Sequence, residues 1–433
     1  MWIEEISKEV HLYEGKEVEI KGWLYNRRSS GKIHFLIVRD GTGIIQGVVV
    51  QDKVSSAVFD LCNSITQESS LIVKGKVRKD ARSSGGYELD ITDIRVIQSA
   101  APYPISKKEH GIDFLLSHRH LWLRSRRQFA IMRIRGEIIA AIQDFFNARG
   151  FVRLDAPIFT PSACEGTTTL FEVPYFGDKV YLSQSGQLYA EAGCMAFGKV
   201  YTFGPTFRAE LSKTRRHLTE FWQIEPEIAY AELTDIMKLA EEFVSYVVKR
   251  VIEHRKEELS IIERDIKLLD KINPPFPQIS YQEAIDLLAK QDKVPQIEWG
   301  DDFGAPQETY LSEQFELPVM IHRYPAKCKS FYMKRDTQDP NLALCVDMIA
   351  TEGYGEIIGG SQREENLTTL EQRIKEFNLP KEPHEWYLDL RRYGSVPHSG
   401  FGLGLERLVA WICKLQHIRE AIPFPRTIER FYP

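Results

Sequence analysis

The chain has 433 residues, of which 43% are hydrophobic and 27% are charged. These values are ordinary for a folded protein with a large core, and the length predicts two or three domains. No apolar run approaches the roughly 20 residues that a membrane-spanning helix needs. The start, MWIEEISKEV, lacks the basic and apolar runs of a secretory signal, so we expect a cytosolic protein that contacts no membrane.

The net charge argues against a generally basic nucleic-acid binder, and the placement of the cysteines argues against a zinc-binding or disulfide-bonded protein. A formal net charge of −5 does not mark a nucleic-acid binder, although binding needs only a local basic surface. The six cysteines lie far apart and form no CxxC pair, which argues against a zinc site and against disulfide bonds. RNA binding therefore has to be argued from other features.

Residues 16–98 are predicted to form five short strands. The β-rich runs are EVEIKGWLYNRR, KIHFLIVRD, IIQGVVVQ, SLIVKGKVRKD and YELDITDIRVI. Residues 54–65, between the third and fourth runs, favour a helix. Five strands with a helix at that place are typical of an OB-fold, a β-barrel that often binds single-stranded nucleic acid. Another small β-barrel without an RNA role fits the pattern equally well.

A linker is predicted to join this β-barrel to a larger domain. We assign residues 1–99 to the OB-fold domain, 100–122 to a linker or hinge region and 123–433 to the larger domain. The segment AAPYPISKKEHG, with two prolines and a lysine pair, begins the linker. In the larger domain, apolar residues recur at helical spacing from Ile131 to Phe145, and an amphipathic helix is predicted from Glu232 to about Glu258.

Later in the chain, strands are predicted at PVMIHRY, CKSFYM, LCVDMIA and GEIIGGS. They are short and irregularly linked, without regular βαβ repeats. An antiparallel sheet flanked by helices therefore fits better than a doubly wound sheet. The predicted fold class is α+β, with the five-stranded barrel first.

Two arginine motifs carry the chemistry that this sequence indicates. The sequence has no GxxxxGK[ST] loop, no GxGxxG after a strand and no HExxH. It has instead FRAE, which ends at Glu210 and precedes LSKTRRHLTEF, and GLGLER, which ends at Arg407. A lone arginine in such a run is usually part of a surface ion pair. Preceded by a helix and a strand ending at Pro157, the two motifs strongly resemble the signature motifs of class II aminoacyl-tRNA synthetases.

The resemblance implies an enzyme that activates an amino acid with ATP and transfers it to tRNA. Activation joins two anions, so it needs positioning and charge stabilisation. A guanidinium can bridge a carboxylate and a phosphate oxygen, and the family gives this role to Arg208. It places Arg407 at the γ-phosphate and adenine, His217 at the terminal phosphates and Phe221 against the adenine. The ATP site so implied comprises Arg208, Glu210, Arg216, His217, Leu218, Phe221, Glu356, Gly404 and Arg407.

Magnesium is implied as a cofactor, because the leaving group of the activation step is pyrophosphate. Glu356, in GYGEIIGGSQR, matches a metal-ligand position of the family. Asp347 is the second candidate ligand. Its spacing to Glu356 is longer than in aspartate enzymes, and an ordinary carboxylate at a strand end has the same appearance.

Within the aspartate, asparagine and lysine subclass, the residues indicate asparagine. The resemblance to this subclass covers nearly the whole chain, and the segments FGLGLERLVAW and IPFPRTIERFYP look like those of asparaginyl enzymes, particularly archaeal-type ones. Its segment YLSQSGQLYAEA matches a segment of aspartyl enzymes, but Ala190 replaces the lysine that pairs with the substrate carboxylate there. Without that cation, aspartate should bind poorly. Glu225 can accept a hydrogen bond from an amide and Arg363 can donate one, and such polar pairs discriminate well.

The family places further residues around the amino acid. Ser183 and Gln187 would surround its ammonium group. Glu165, in ACEGTTTLF, would close over it on a mobile loop hinged at Gly166, although an exposed loop acid has the same appearance. The predicted amino-acid site comprises Glu165, Ser183, Gln184, Gln187, Arg208, Glu225, Gly359 and Arg363.

Two residues of the barrel match an aromatic and a glutamine that aspartyl and asparaginyl enzymes use to read the anticodon. They are Phe35 and Gln46, on adjacent predicted strands, and Arg27 and Arg28 lie on the preceding loop. An unstacked base can lie on Phe35, a contact usually worth about 1–3 kcal/mol, while Gln46 can both donate and accept. A barrel-core aromatic is the alternative for Phe35. Arg27 and Arg28 would hold phosphates or bases, although a solvated basic loop has the same sequence.

The favoured hypothesis is ATP-dependent charging of tRNA(Asn) with L-asparagine by a homodimer, through an asparaginyl-adenylate. Three alternatives stay open: a non-discriminating aspartyl-tRNA synthetase, an asparagine-forming relative that charges no RNA, and a non-catalytic RNA-binding paralogue. Ala190 and Glu225 argue against the first, the intact β-domain against the second, and the two motif arginines against the third.

Overall fold

The computed structural model describes residues 1–164 and 170–433, which form two compact units. Unit 1 runs from Met1 to Ile112 and unit 2 from Asp113 to Pro433. None of the helices in the described part of the chain is both long and apolar enough to cross a membrane. All six cysteines are free, as predicted.

Unit 1 is a closed five-stranded β-barrel. Its elements are α1 (Ile3–Lys8), α2 (Val10–Tyr13), β1 (Glu17–Ser30), β2 (Ile33–Arg39), β3 (Ile44–Val50), α3 (Ser56–Ser64), β4 (Ser70–Lys79) and β5 (Tyr87–Gln98). The strands follow the order β1-β2-β3-β5-β4, with α3 between β3 and β4 in the chain. Alternate residues such as Ile20, Leu36, Val49 and Val73 are fully buried and fill the barrel. The predicted OB-fold plan is confirmed.

Unit 2 contains the remaining helices and strands. They are α4 (Ile112–Ser117, beginning at the last residue of unit 1), α5 (Arg119–Trp122), α6 (Arg126–Ala148), β6 (Val152–Leu154), β7 (Phe159–Thr160), β8 (Glu172–Tyr175), β9 (Asp178–Leu182), α7 (Gln187–Phe197), β10 (Lys199–Phe207), β11 (Glu220–Ala229), α8 (Leu233–His254), α9 (Lys256–Ile261), α10 (Ile266–Asp270), β12 (Gln278–Ser280), α11 (Tyr281–Leu288), α12 (Ala305–Glu313), β13 (Val319–His322), β14 (Cys345–Ala350), β15 (Gly355–Gln362), α13 (Leu367–Glu376), α14 (Glu385–Arg392), β16 (His398–Gly404) and α15 (Leu405–Ile412).

An eight-stranded sheet forms the centre of unit 2, in the order β12-β13-β14-β15-β16-β11-β10-β6. The inner strands, from β13 to β10, pair antiparallel, as predicted. The outermost pairs, β12 with β13 and β10 with β6, are parallel. A separate three-stranded sheet has the order β7-β9-β8. The mixture of a mainly antiparallel sheet with segregated helices is the expected α+β class.

Helices α6 and α8 supply much of the largest core of unit 2. Ile134 and Ile138 of α6 pack with Phe243 and Val247 of α8 in one fully buried apolar cluster. The predicted helix from Glu232 to about Glu258 is shorter in the structure. It ends at His254 because the next residue leaves helical geometry, and α9 then begins at Lys256.

Residues 328–333, predicted as a strand, do not form one in the structure. A 3-10 turn over Ala326–Cys328 begins this segment, and Phe331 and Tyr332 are buried in an apolar cluster with Tyr387. That prediction was wrong because β-propensity describes a residue's fit to a packed surface, which these aromatics find here outside a strand.

Residues 113–122 differ from the linker assignment, because α4 and α5 occupy them and they belong to unit 2. Arg119 is buried, and its guanidinium donates to the backbone oxygens of Pro423, at 2.8 Å, and Ile422, at 2.9 Å. These bonds join the segment to the far end of the chain. Only residues 100–111 of the predicted linker lack helix and strand.

Candidate functional site

One cavity of unit 2 gathers residues from both arginine motifs. The loop between β10 and β11 supplies one wall, and β15, β16 and α15 supply the other. The lining residues are Arg208, Glu210, Arg216, His217, Leu218, Phe221, Gln223, Glu356, Ile357, Gly402, Gly404, Glu406, Arg407 and Ile418. Every residue predicted for the ATP site is therefore in this cavity, although they come from three distant segments.

Arg208 stands at the start of the β10–β11 loop with a buried, unpaired donor. Its backbone N–H donates to the oxygen of Thr219 at 3.0 Å, which closes the loop. Its guanidinium carbon lies 5.5 Å from the ring centroid of Phe221. Its Nε is buried and has no acceptor among the described residues. A buried N–H without an acceptor is costly, so this side chain fits an anionic ligand.

The other end of the cavity alternates arginines with carboxylates. Arg407 donates from Nη1 to the backbone oxygen of Glu356 at 2.8 Å and to its carboxylate at 3.1 Å. Arg216 donates to Glu308 at 2.9 Å. Burial would raise the pKa of Glu356, but the charge of Arg407 outweighs it and holds that pKa below its ordinary value. The fixed positive charges suit a polyphosphate.

His217 lies between the two ends of the cavity. Its Nδ1 contacts the hydroxyl of Ser212, at 3.1 Å, and that of Thr214. Burial lowers the pKa of His217 below its ordinary value, and the charge of Arg407 lowers it further. The imidazole is therefore neutral at pH 7, and it can accept or donate a hydrogen bond without adding charge.

Asp347 and Glu356 approach each other beside Gly359. A β-carbon at Gly359 would lie 2.9 Å from Oε1 of Glu356 and 3.5 Å from Oδ1 of Asp347. Lys329 places its ammonium 2.8 Å from Oδ2 of Asp347 and 3.2 Å from Asp302. Burial raises the pKa of Asp347 to about 7 against the opposing charge of Lys329. The predicted pair of acids is thus assembled, together with a lysine that sequence reasoning missed.

The acidic group fits a divalent cation. Carboxylate oxygens are the hard ligands that Mg²⁺ prefers. Glu308 extends the group, since its Oε2 accepts from the backbone N–H of Glu356 at 3.2 Å. Burial, with the charge of Glu356 added to it, raises the pKa of Glu308. Nothing in the sequence singles out Glu308, because it arrives on α12 from a segment with no motif.

A second group of buried polar side chains adjoins the cavity at Glu225. The Glu225 carboxylate accepts from the Ser185 hydroxyl, from the backbone N–H of Gly186 at 2.7 Å and from the Thr202 hydroxyl at 3.1 Å. Gly402 lines the cavity, and a β-carbon there would lie 3.8 Å from Cγ of Glu225. The two groups are therefore continuous. The predicted residues Ser183, Gln184 and Gln187 are buried on the same turn between β9 and α7.

Arg363 has a partner that sequence reasoning missed. Its Nε and Nη2 donate to the two oxygens of Glu227, each at 2.9 Å, and Nη1 donates to the Ser361 hydroxyl at 2.7 Å. Glu227 lies two residues after Glu225 on β11, so both carboxylates project from one face of the sheet. The signal was present in the spacing of the two acids within IEPE.

Ala190 does not line this polar group. Its side chain is fully buried in a small apolar cluster with Cys194 and Val200. The next residue, Glu191, is buried among polar side chains and pairs with Arg391. Glu165 and Gly166, predicted to form a closing loop, lie outside the described residues.

On the barrel of unit 1, Phe35, Arg28 and Gln46 lie side by side. Arg28 places its guanidinium carbon 4.4 Å from the centroid of the Phe35 ring, and its Nη2 lies 3.5 Å from the amide oxygen of Gln46. The amide nitrogen of Gln46 donates to Glu88 at 2.8 Å. Arg27 lies apart from this group and donates to the backbone oxygen of Cys62 at 2.7 Å. The structure thus joins three of the four predicted residues and adds Glu88.

Two family models and many relatives match the chain. A model for class II tRNA synthetases (D, K and N) matches residues 111–428, and one for an OB-fold nucleic acid binding domain matches residues 18–97. The asparagine–tRNA ligase of Desulforamulus reducens is 60% identical over 96% of this chain and 97% of its own length. That of Thermus thermophilus is 58% identical over 100% of both chains. The chain belongs to the class II tRNA synthetases, in the asparagine–tRNA ligase family.

A solved structure of this family has nearly the same fold. The asparaginyl-tRNA synthetase from Pyrococcus horikoshii, complexed with asparaginyl-adenylate, matches with a TM-score of 0.95 and 47% identity. The match covers 100% of this chain and 99% of that one. The resemblance drawn from the two arginine motifs and from the barrel is confirmed at the level of the family.

Lys329, beside the acidic group, should stabilise the folded state of this synthetase. Lys329→Met removes the ammonium next to buried Asp347, and breaking a buried ion pair typically costs about 3–5 kcal/mol. We expect a loss of that size in the free energy of unfolding of unit 2, measured with urea at pH 8. Lys381→Met, at a half-exposed pair with Glu371, should cost less than about 1 kcal/mol. Equal losses in both variants would contradict the buried role of Lys329.

Proposed function

We propose that this chain attaches L-asparagine to tRNA(Asn) at the expense of ATP, in the cytosol, where tRNA is charged for translation. The observation that carries the proposal is the continuity of two sites. A cavity with fixed arginines, in which the buried Nε of Arg208 has no acceptor among the described residues, extends to Gly402 beside Glu225. The arginine cavity suits a nucleoside triphosphate, and the polar group at Glu225 suits a small polar side chain.

In the first step, an asparagine carboxylate oxygen attacks the α-phosphorus of ATP. The bond from that phosphorus to the bridging oxygen breaks, and pyrophosphate leaves with the electron pair. Arg208 would neutralise the carboxylate and the α-phosphate as they approach, because its Nε has no other acceptor among the described residues. Arg407 and Arg216 would hold the leaving pyrophosphate. The product is asparaginyl-adenylate.

In the second step, a ribose hydroxyl at the 3′ end of the tRNA attacks the carbonyl carbon of the adenylate. The bond to the phosphate oxygen breaks, AMP leaves, and the hydroxyl proton passes to a phosphate oxygen of the AMP. His217, neutral at pH 7, adds no charge beside the phosphates during either step. Positioning and electrostatic stabilisation are sufficient for both displacements, so no protein nucleophile is required.

The side-chain amide of asparagine would be read by one acceptor and one donor. Glu225 can accept from the amide nitrogen. Arg363 has five N–H groups, of which three are taken by Glu227 and Ser361 within the described residues. The remaining two can donate to the amide oxygen. An aspartate side chain would meet Glu225 as a like charge and would leave a polar group unpaired, which is costly in a buried pocket.

Amino-acid-dependent pyrophosphate exchange tests this proposal directly. Asparagine should support exchange, and aspartate at the same concentration should support at least tenfold less. Arg208→Ala should abolish exchange while tRNA binding survives, because the barrel is untouched. Exchange with aspartate alone would identify an aspartyl enzyme, and exchange with neither amino acid would refute the proposal.

We propose that Mg²⁺ binds at Glu356 with Asp347 and accompanies the pyrophosphate. Removing the charge of Glu356 should weaken the binding of Mg²⁺. Glu356→Gln should therefore raise the Mg²⁺ concentration needed for half-maximal exchange by about tenfold or more. Direct Mn²⁺ binding, followed by electron paramagnetic resonance, should weaken in parallel. Glu298→Gln, at an exposed acid, is the control. Unchanged Mn²⁺ binding in Glu356→Gln would contradict the assignment.

The barrel would read the anticodon with the surface formed by Phe35, Arg28 and Gln46. An unstacked base can lie against Phe35, and Arg28 can move from the ring to a phosphate. Glu88 holds the amide nitrogen of Gln46, so the amide oxygen faces the open side near Arg28. Arg27, held by Cys62, would contribute through charge alone.

Gln46→Ala tests the anticodon surface separately from the chemistry. It should lower kcat/KM for tRNA by about tenfold or more, because a base edge loses its partner, and it should leave pyrophosphate exchange unchanged. Gln51→Ala, at an exposed glutamine of the same barrel, should change neither rate. A normal charging rate in Gln46→Ala would count against the assignment.

We propose that the chain forms a homodimer through an apolar surface on unit 2. Phe159, Tyr175 and Phe176 touch in sequence, with ring centroids 5.7 and 4.9 Å apart, and Phe176 is 97% exposed. Exposed Val152 and Ile158 lie on neighbouring segments of the chain. Contiguous exposed aromatics of this kind mark protein interfaces.

Light scattering tests the dimer. The mass in solution should be twice that of the 50.0 kDa chain, and Phe159→Ser/Phe176→Ser should shift it towards the monomer. Tyr230→Ser removes an aromatic that is 81% exposed elsewhere on unit 2 and should leave the mass unchanged. A monomeric native protein at micromolar concentration would overturn the proposal.

A further inference from the structure

A cluster of buried charges surrounds Arg363, and its other members have no role in the steps above. The buried charge cluster consists of Glu191, Glu227, Arg363, Arg391 and His398. Ligand atoms of Glu191, Glu227 and His398 lie within 4.8 Å of one another. Two carboxylates at this distance repel strongly in a dry interior, so their charges must be balanced.

Glu191 is the most heavily bonded member of the cluster. Its Oε2 accepts from the Tyr387 hydroxyl and from Nη2 of Arg391, each at 2.7 Å, and lies 3.0 Å from Nε2 of His398. Its Oε1 accepts from the amide of Gln187 at 3.1 Å. Burial opposes its ionisation, but Arg391 and His398 hold the pKa of Glu191 well below its usual range. Glu191 is therefore a fixed negative charge with one orientation.

The charges of the cluster cancel in pairs. Arg363 is matched by Glu227 at 2.9 Å, and Arg391 is matched by Glu191 at 2.7 Å. His398 donates its Nδ1 proton to the backbone oxygen of Val396 at 2.8 Å. The two guanidinium groups and the two carboxylates of the cluster therefore balance each other. The positive charge of Arg363 is thus already compensated before any ligand reaches its two remaining N–H groups.

Compensation of the charge of Arg363 favours the binding of asparagine over that of aspartate. An Arg363 with surplus positive charge nearby would attract a side-chain carboxylate more strongly than an amide. An Arg363 whose own charge is balanced by Glu227, and whose neighbour Arg391 is balanced by Glu191, can donate hydrogen bonds but attracts a carboxylate less strongly. Glu225 would repel a carboxylate as well. Water is excluded from the cluster, so little solvent screening weakens the effect of a single charge.

We propose that Glu191 is a positioning residue that determines specificity. Its buried negative charge lowers the affinity of the pocket at Arg363 for a carboxylate relative to a neutral amide. The inference rests on the proposed function, since it assumes that Arg363 faces the substrate side chain. Within the segment QLYAE, Ala190 packs in an apolar cluster, whereas Glu191 is the residue that places a charge next to Arg363.

The decisive variant is Glu191→Gln, which keeps the shape and most hydrogen bonds but removes the charge. The inhibition constant of L-aspartate against asparagine-dependent exchange should fall at least tenfold, and aspartate-dependent exchange should rise relative to the asparagine rate. The KM for ATP should stay within twofold. If both amino acids lose activity in equal proportion, Glu191 has only a structural role and the inference is overturned.

Arg391→Gln tests the same ion pair with the opposite change of charge. This variant remains informative if Glu191→Gln folds poorly. It removes a positive charge, so the inhibition constant of aspartate should rise. Tighter aspartate binding in this variant would overturn the inference. Glu258→Gln is the matched control, because Glu258 is also buried and accepts from Arg133 at 2.9 Å. It should leave the ratio of the two amino acids unchanged.

The outcomes separate this inference from the proposed function. A native protein that exchanges no asparagine would refute the function. A native protein that selects asparagine, combined with an unaltered ratio in Glu191→Gln, would refute only the role of Glu191.

Discussion

The pairing of Arg363 with Glu227 is the interaction on which the amino-acid site depends. Glu227 lies on β11 and Arg363 follows β15, so the pair reaches across β16 between them. Gly400 of β16 makes the crossing possible, because a β-carbon there would lie only 1.9 Å from Glu227 Oε2. The pair also fixes the orientation of the Arg363 guanidinium. A larger residue at 400 would therefore displace the donor that we propose to read the substrate amide.

A glycine also makes room for charged side chains at a second place in the centre of the sheet. Gly359 leaves room for Glu356 and Asp347, since a β-carbon there would lie only 2.9 Å from Oε1 of Glu356. The glycines on β15 and β16 thus allow acids and arginines to lie close together. Two of the arginines are paired with carboxylates, whereas Nε of Arg208 has no acceptor among the described residues, so an anion would fit there.

Much of this site was readable from the residues, and the reason is local. Arg208, His217, Phe221 and Arg407 belong to short motifs whose spacing is set by a hairpin loop and by a strand followed by a helix. Their partners arrive from elsewhere. Glu308, Lys329 and Glu88 occur in segments without a motif, and an isolated acid or lysine has the same appearance as a surface charge.

The sequence by itself determined the class of protein, because strand alternation, the order of the barrel strands and two arginine motifs survive in the linear pattern. It also identified Glu225 and Arg363 as a polar pair. Only the tertiary structure decided that Arg363 pairs with Glu227, that Ala190 faces an apolar cluster and that Glu191 pairs with Arg391. Charge balance depends on distances between residues far apart in the chain, and only folding brings them together.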